Sequence, residues 1–250
     1  MRRRKHLVAL MAGVVLLGLV GEAGAAADFS PTIKFELLDK KANVNAQLRI
    51  AVSQDTGEEE LKNVELRVPA GFNLAVDQQL TDGETLAAGA ITIDAGPRCR
   101  GLAGSAPANV PVNVIERNRR SSETQSGVAA VYVVDLRPVT TIELMVYGSS
   151  DRGWRLEGNI PPNDNTCPPL SLDVTFRQRA EDSGTPILTN PQYGGAYEFG
   201  ATFNGLQGGT SITKESVIIE GPGKPGQTAT KSCKGLKGKK KRRCRKKLQG

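Results

Sequence analysis

Residues 44–52 read VNAQLRIAV, with apolar side chains at every second position: Val44, Ala46, Leu48, Ile50 and Val52. This period of two is what a β-strand with one buried face requires, because successive side chains point to opposite sides of a sheet. The same alternation recurs in VELRV (64–68), VPVNV (110–114), TIELMVY (141–147), LSLDVTF (170–176), YEFGATF (197–203) and SVIIE (216–220). VAAVYVVDL (128–136) is more continuously apolar, as a central strand covered on both faces would be. No stretch sustains a helical period; a single short helical turn within 74–88 is the most that fits.

Turn residues punctuate these runs: TGEEE at 56, PAGF at 69, TDGE at 81, GP at 96, SSDRG at 149, PPND at 161 and SGTP at 183. About ten short strands so spaced predict an all-β, mostly antiparallel β-sandwich over residues 28–220. The length suits one elaborated sandwich or two tandem Ig-like units. If there are two, the polar stretch ERNRRSSETQSG (116–127) is the boundary; otherwise it is a long exposed loop.

The first residues carry an address. MRRRKH is positively charged, LVALMAGVVLLGLV (7–20) is apolar, and GEAGAAA supplies small residues, which is the order of a secretory signal over 1–27. Cleavage after Ala27 is the first choice and after Ala25 the second. An uncleaved anchor is the alternative, but 14 apolar residues fall short of the roughly 20 that span a bilayer. No second apolar run follows, so no transmembrane anchor is expected in the mature chain. No cysteine follows the apolar run to take a lipid. The expected location is secreted, extracellular, with an association to the envelope.

Charge is segregated along the chain. The total is +7, yet residues 28–230 hold 18 Lys/Arg against 25 Asp/Glu, a balance of −7. Residues 231–250, KSCKGLKGKKKRRCRKKLQG, hold eleven Lys/Arg and no acid. An acidic body thus precedes a basic tail, joined by GPGKPGQTAT (221–230), a Gly/Pro linker without apolar tethers. The tail has only Leu236 and Leu248 as large apolar residues and cannot bury enough to fold alone.

Four cysteines in an exported chain favour pairing, and four allow three connectivities. Cys99 and Cys167 lie in the body, Cys233 and Cys244 in the tail, so pairing within each region is the simplest choice. That choice favours one domain, because a Cys99–Cys167 bridge would cross 116–127. It would stabilise the fold by about 4 kcal/mol on the chain-entropy argument. Tail thiols that stay reduced, or pair between chains, are the alternative. On a helix Cys233 and Cys244 would lie about 16 Å apart, beyond the roughly 7 Å limit for a disulfide, so a bridged tail is a loop.

The residue inventory limits the chemistry. The single histidine, His6, sits in the signal, so the mature chain has no imidazole to activate a serine or cysteine or to bind metal. No enzyme activity and no cofactor are expected. A carboxylate-based hydrolase of extracellular glycans stays open on residue types, since two acids suffice; the run Glu58, Glu59, Glu60 reads instead as a solvated loop. SITK (Ser211–Lys214) has Ser-x-x-Lys spacing but leads into a strand, where that motif belongs on a helix. A ligand-binding adhesin would need exposed rings. Trp154, the only tryptophan, and Tyr193 and Tyr197 are the candidates, each also readable as core. Asn163, Asp164 and Asn165 offer oxygens for calcium but match no loop motif and read as a self-capped turn.

The basic tail is the sharpest feature. Lys234, Lys237, Lys239, Lys240, Lys241, Arg242, Arg243, Arg245, Lys246 and Lys247 form a polyanion-binding cluster that would act by counterion release rather than base readout. Outside a cell the plentiful polyanions are wall polymers and the membrane surface, so a specific nucleic-acid partner is not expected. Near an anionic surface each basic residue contributes about 1 kcal/mol. A tail folded back on its own acidic body, or one that merely solubilises, are the competing readings.

GPRCRG (96–101), VYVVDLRPVT (131–140), GWRLEGNIPPNDNTCPP (153–169), SGTPILTNPQ (183–192) and the lysine-rich, cysteine-containing end together resemble a group of uncharacterised secreted proteins of high-GC Gram-positive bacteria. That resemblance implies an exported, β-rich surface protein and transfers no catalytic residue. An alternating strand followed by PAGF (69–72) is also similar to Ig-like surface repeats.

Overall fold

In the computed structural model, the structure describes residues 29–55, 58–76, 79–93, 108–136, 140–160 and 169–224. The described chain is almost wholly antiparallel β. Its strands are β1 (Thr32–Leu37), β2 (Leu48–Ser53), β3 (Leu61–Val68), β4 (Asn73–Leu74), β5 (Thr85–Ile93), β6 (Ala108–Arg117) and β7 (Val128–Leu136). They continue as β8 (Thr140–Ser149), β9 (Gly153–Asn159), β10 (Pro169–Phe176), β11 (Leu188–Thr189), β12 (Gly195–Gly205) and β13 (Thr210–Ile219), with one short helix, α1 (Ser121–Gln125).

Eleven strands form one continuous sheet in the order β1-β2-β10-β5-β6-β7-β8-β9-β3-β12-β13. Every neighbouring pair is antiparallel. Ten antiparallel steps leave the two outermost strands pointing the same way, and they come back to each other as a near-barrel. Phe35 N–H on β1 donates to Glu215 Oε2 on β13 at 2.6 Å, and Ser211 Oγ donates to Pro31 O at 3.2 Å. Beyond the strands Glu220 N–H donates to Lys40 O at 2.6 Å. Each pair is separated by 180 residues, so the seam holds one parallel register along its length. Meeting edges are shielded edges, which removes the template for aggregation that free strand edges present.

The alternation read in 44–52 is realised: Ala46, Leu48 and Ile50 are buried while Arg49 faces solvent. Ile33, Phe35 and Leu37 of β1, Val110, Val112 and Val114 of β6, and Phe199, Ala201 and Phe203 of β12 turn inward the same way and form one core. VAAVYVVDL is β7, the middle strand of the eleven, and the adjacent residues Val131 and Tyr132 are both buried, so the strand is covered on both faces. The stretch 116–127 connects β6 to β7, which pair with each other in the same sheet. It carries the short helix α1, which the sequence reading did not anticipate. Glu123 starts that helix by accepting the Arg120 N–H at 2.6 Å.

β5, TLAAGAITI, falls partly where a helical turn was expected. Its small residues serve close approach instead: a Cβ on Gly89 would run into the Asp173 carbonyl oxygen of β10. Described loops gather at two ends: 38–47, 69–76, 79–84, 118–127, 150–152 and 177–194 at one, 54–55, 58–60 and 206–209 at the other. The two-stranded pair β4–β11 caps the first end, bringing Phe72, Leu74, Ile187 and Leu188 over the core. Phe72 packs edge-on against Phe199 (5.1 Å, 67°) and Tyr197 (5.5 Å, 83°), and Phe35 meets Phe199 at 5.2 Å. Each such pair contributes about 1 kcal/mol beyond area burial.

Candidate functional site

Several sequence-derived candidates lie outside the described residues. These are the signal segment 1–27, Cys99, Cys167, Cys233 and Cys244, the basic cluster Lys234–Lys247, and the turn with Asn163, Asp164 and Asn165. The described body holds the remaining candidates.

Its buried carboxylates clamp loops. Glu59 was expected in a solvated loop, yet it is buried, and its carboxylate accepts N–H groups of Gln207 (3.0 Å) and Gly209 (2.6 Å) in the β12–β13 turn. Those turn amides need an acceptor, and an ionised carboxylate is the strongest one at hand. Glu84 is fully buried and accepts N–H groups of Thr81 (2.9 Å), Asp182 (2.7 Å) and Ser183, tying 79–84 to the loop before β11. Burial pushes the Glu84 carboxyl up, but the amides of Thr81, Ser183 and Asp182 outweigh it and hold it below the usual carboxylate range. Glu123 is held low by the Arg117 guanidinium, 2.7 Å away. Glu116 lies on the inward face of β6, in line with Val110, Val112 and Val114. Burial first, and the Glu116 charge second, push the Tyr132 phenol far above its ordinary value. Tyr132 accordingly keeps its proton and donates it to Ala75 O in the cap at 2.6 Å.

Trp154 and Tyr197 each hydrogen-bond within the body. Trp154 is buried on β9, and its Nε1–H donates to Phe72 O at 2.8 Å, so its ring supports the cap rather than facing outward. Tyr197 is half-buried and donates to Tyr193 O at 2.8 Å. Ser211 and Lys214 stand three residues apart on β13, hence on opposite faces of the strand, and cannot act together. Ser211 Oγ serves the seam, while Lys214 Nζ pairs outside with Glu198 Oε1 at 2.7 Å.

Charged pairs cover the outer face. Arg49 grips Asp173 through Nε (2.8 Å) and Nη2, which holds the Asp173 carboxyl low and raises the guanidinium further. Across β8, β9 and β3, Arg155 lies 4.9 Å over the Tyr147 ring and pairs with Glu157 at 3.1 Å, and Arg67 pairs with Glu65. Among the described residues no cluster of acid, cysteine or histidine side chains has metal-ligand geometry, and no helix is long and apolar enough to cross a membrane.

These features define an all-β antiparallel protein whose interior is a packed core and whose buried acids secure loops. No protein-family model matches the chain, and no curated protein matches it significantly.

Proposed function

We propose that this is a secreted or cell-surface interaction protein whose acidic β body is held at an anionic envelope, wall polymer or membrane, by its basic tail. The observation that carries the reading is the charge segregation: −7 over residues 28–230 against eleven Lys/Arg without an acid over 231–250. The signal-like opening supports export, and the use of Glu59, Glu84 and Glu123 as clamps supports a body that scaffolds rather than catalyses. Attachment through counterion release is steeply salt-dependent. The test is retention on isolated cell envelopes of the chain from Asp28 to Gly250 against one ending at Thr230, across a salt series. Salt-sensitive retention that disappears with the tail supports attachment; equal retention of the two overturns it.

A further inference from the structure

We infer that the outer face of the sheet carries a second anion site, a single line of cations across five strands that grips a thread-like polymer with phosphate groups in its backbone. The register builds the line. Tyr147 on β8 stands opposite Arg155 on β9, Arg155 opposite Arg67 on β3, Arg67 opposite Gly200 on β12, and Gly200 opposite Lys214 on β13. Strands lie about 4.8 Å apart, so the line runs roughly 19 Å across the sheet.

Three observations point to a ligand rather than to stability. Like charges are set directly opposite each other, Arg67 against Arg155 and Glu65 against Glu157, although opposed charges would stabilise the pairing and like charges weaken it. Each guanidinium meets its own strand's carboxylate through Nε, and no hydrogen bond from either terminal nitrogen fork is seen among the described residues, with side chains 67% and 48% exposed. Those forks match the two free oxygens of a phosphodiester, and the Tyr147 ring holds one of them in place.

Gly200 supplies the third observation. A Cβ there would meet only ordinary contacts, Arg67 Cβ at 3.7 Å and Thr213 O at 3.8 Å. A side chain would therefore fit, and its absence leaves a trough down to the backbone between Arg67 and Lys214. Carboxylates two residues along the strands flank the line and pair with its cations, Glu65 with Arg67 and Glu157 with Arg155 through Nε, and Glu198 with Lys214 Nζ at 2.7 Å on the other side. A flat charged membrane would press on cations and carboxylates together, whereas a thin polymer along the line reaches the terminal guanidinium nitrogens that the carboxylates leave unbonded.

The ligand class rests on the envelope-polymer reading above, but the residues are those of the body, so the two ideas fail separately. The experiment measures binding of the full chain to long-chain inorganic polyphosphate and to phosphatidylglycerol vesicles at fixed ionic strength. R67Q/R155Q is expected to weaken polyphosphate binding about tenfold and leave vesicle binding and the thermal midpoint unchanged. Gly200→Thr, which fills the trough with a good strand former, is expected to weaken polyphosphate binding without loss of stability, and E65Q/E157Q to strengthen it. Unchanged polyphosphate binding in R67Q/R155Q and Gly200→Thr overturns the site, as does an equal loss on vesicles. Loss of binding only on removal of the tail supports the attachment reading and overturns this one.

Discussion

The backbone N–H of Phe35 on β1 ends on the carboxylate of Glu215 on β13, 2.6 Å away, so that a side chain substitutes for the ladder bond that would otherwise close the sheet. Parallel outermost strands follow from an odd number of strands, each antiparallel to its neighbour. At the seam the sheet's hydrogen bonding passes to the side chains of Glu215 and Ser211 before the backbone resumes at Lys40 and Glu220.

Glu215→Ala should strand that amide half-buried. The expected cost is about 1–2 kcal/mol, measured as a lower urea midpoint, with hydrogen exchange at Phe35 accelerating more than at core strands such as β7.

Removing the Glu84 side chain should cost more, about 3 kcal/mol, because the N–H groups of Thr81, Asp182 and Ser183 lose their common acceptor. The same clamp sets an acid limit. A carboxylate held below its ordinary pKa contributes stability above about pH 4.3 and loses it as pH falls through the depressed value. Denaturation midpoints of the parent should therefore drop on acidification, and Glu84→Gln should show a shallower drop from a lower start.

Gly89→Ala places a methyl against the Asp173 carbonyl oxygen, where backbone and not a flexible side chain must yield. A loss of about 3 kcal/mol is expected from overpacking, read as a thermal midpoint several degrees lower. An unchanged midpoint would refute the close approach of β5 and β10.

Trp154 is the only tryptophan and sits under the cap, bonded to Phe72 O. Its fluorescence should be blue-shifted in the native protein and shift red in one step on unfolding. Trp154→Phe, which keeps a ring but loses the donor and some volume, should cost about 2 kcal/mol.

Disulfide connectivity is open from the sequence, and pairing within the body is the simplest choice. Ile93 pairs with Pro169; in the sequence Cys99 follows the first by six residues and Cys167 precedes the second by two. Peptide mapping without reductant is expected to find Cys99 joined to Cys167. A peptide joining either to Cys233 would overturn this.

Legibility tracked the range of the physics. Strands with apolar alternation, such as 64–68 and 170–176, were readable because burial on one face is a local pattern; β1 carries the same signal in Ile33, Phe35 and Leu37 and was overlooked. β5 was obscured because its Ala and Gly residues answer to the closeness of β10. β4 and β11, two residues each, exist only through each other. Glu59 looked solvated since the amides that it caps lie 148 and 150 residues away. The cation line was invisible for the same reason: it exists only in the register of five strands.

The two routes out of the barrel also set its response to force. Phe29 enters beside Gly209 at one end, and the chain passes Gly223, bridged to Gly194, at the other. A pull between the two routes runs along β1 and β13. Ladder bonds lie across the strands, so such tension loads each ladder as a whole in shear instead of peeling it bond by bond. A body tethered at its tail and dragged from its other end would thus resist mechanically in the direction in which its sheet is strongest.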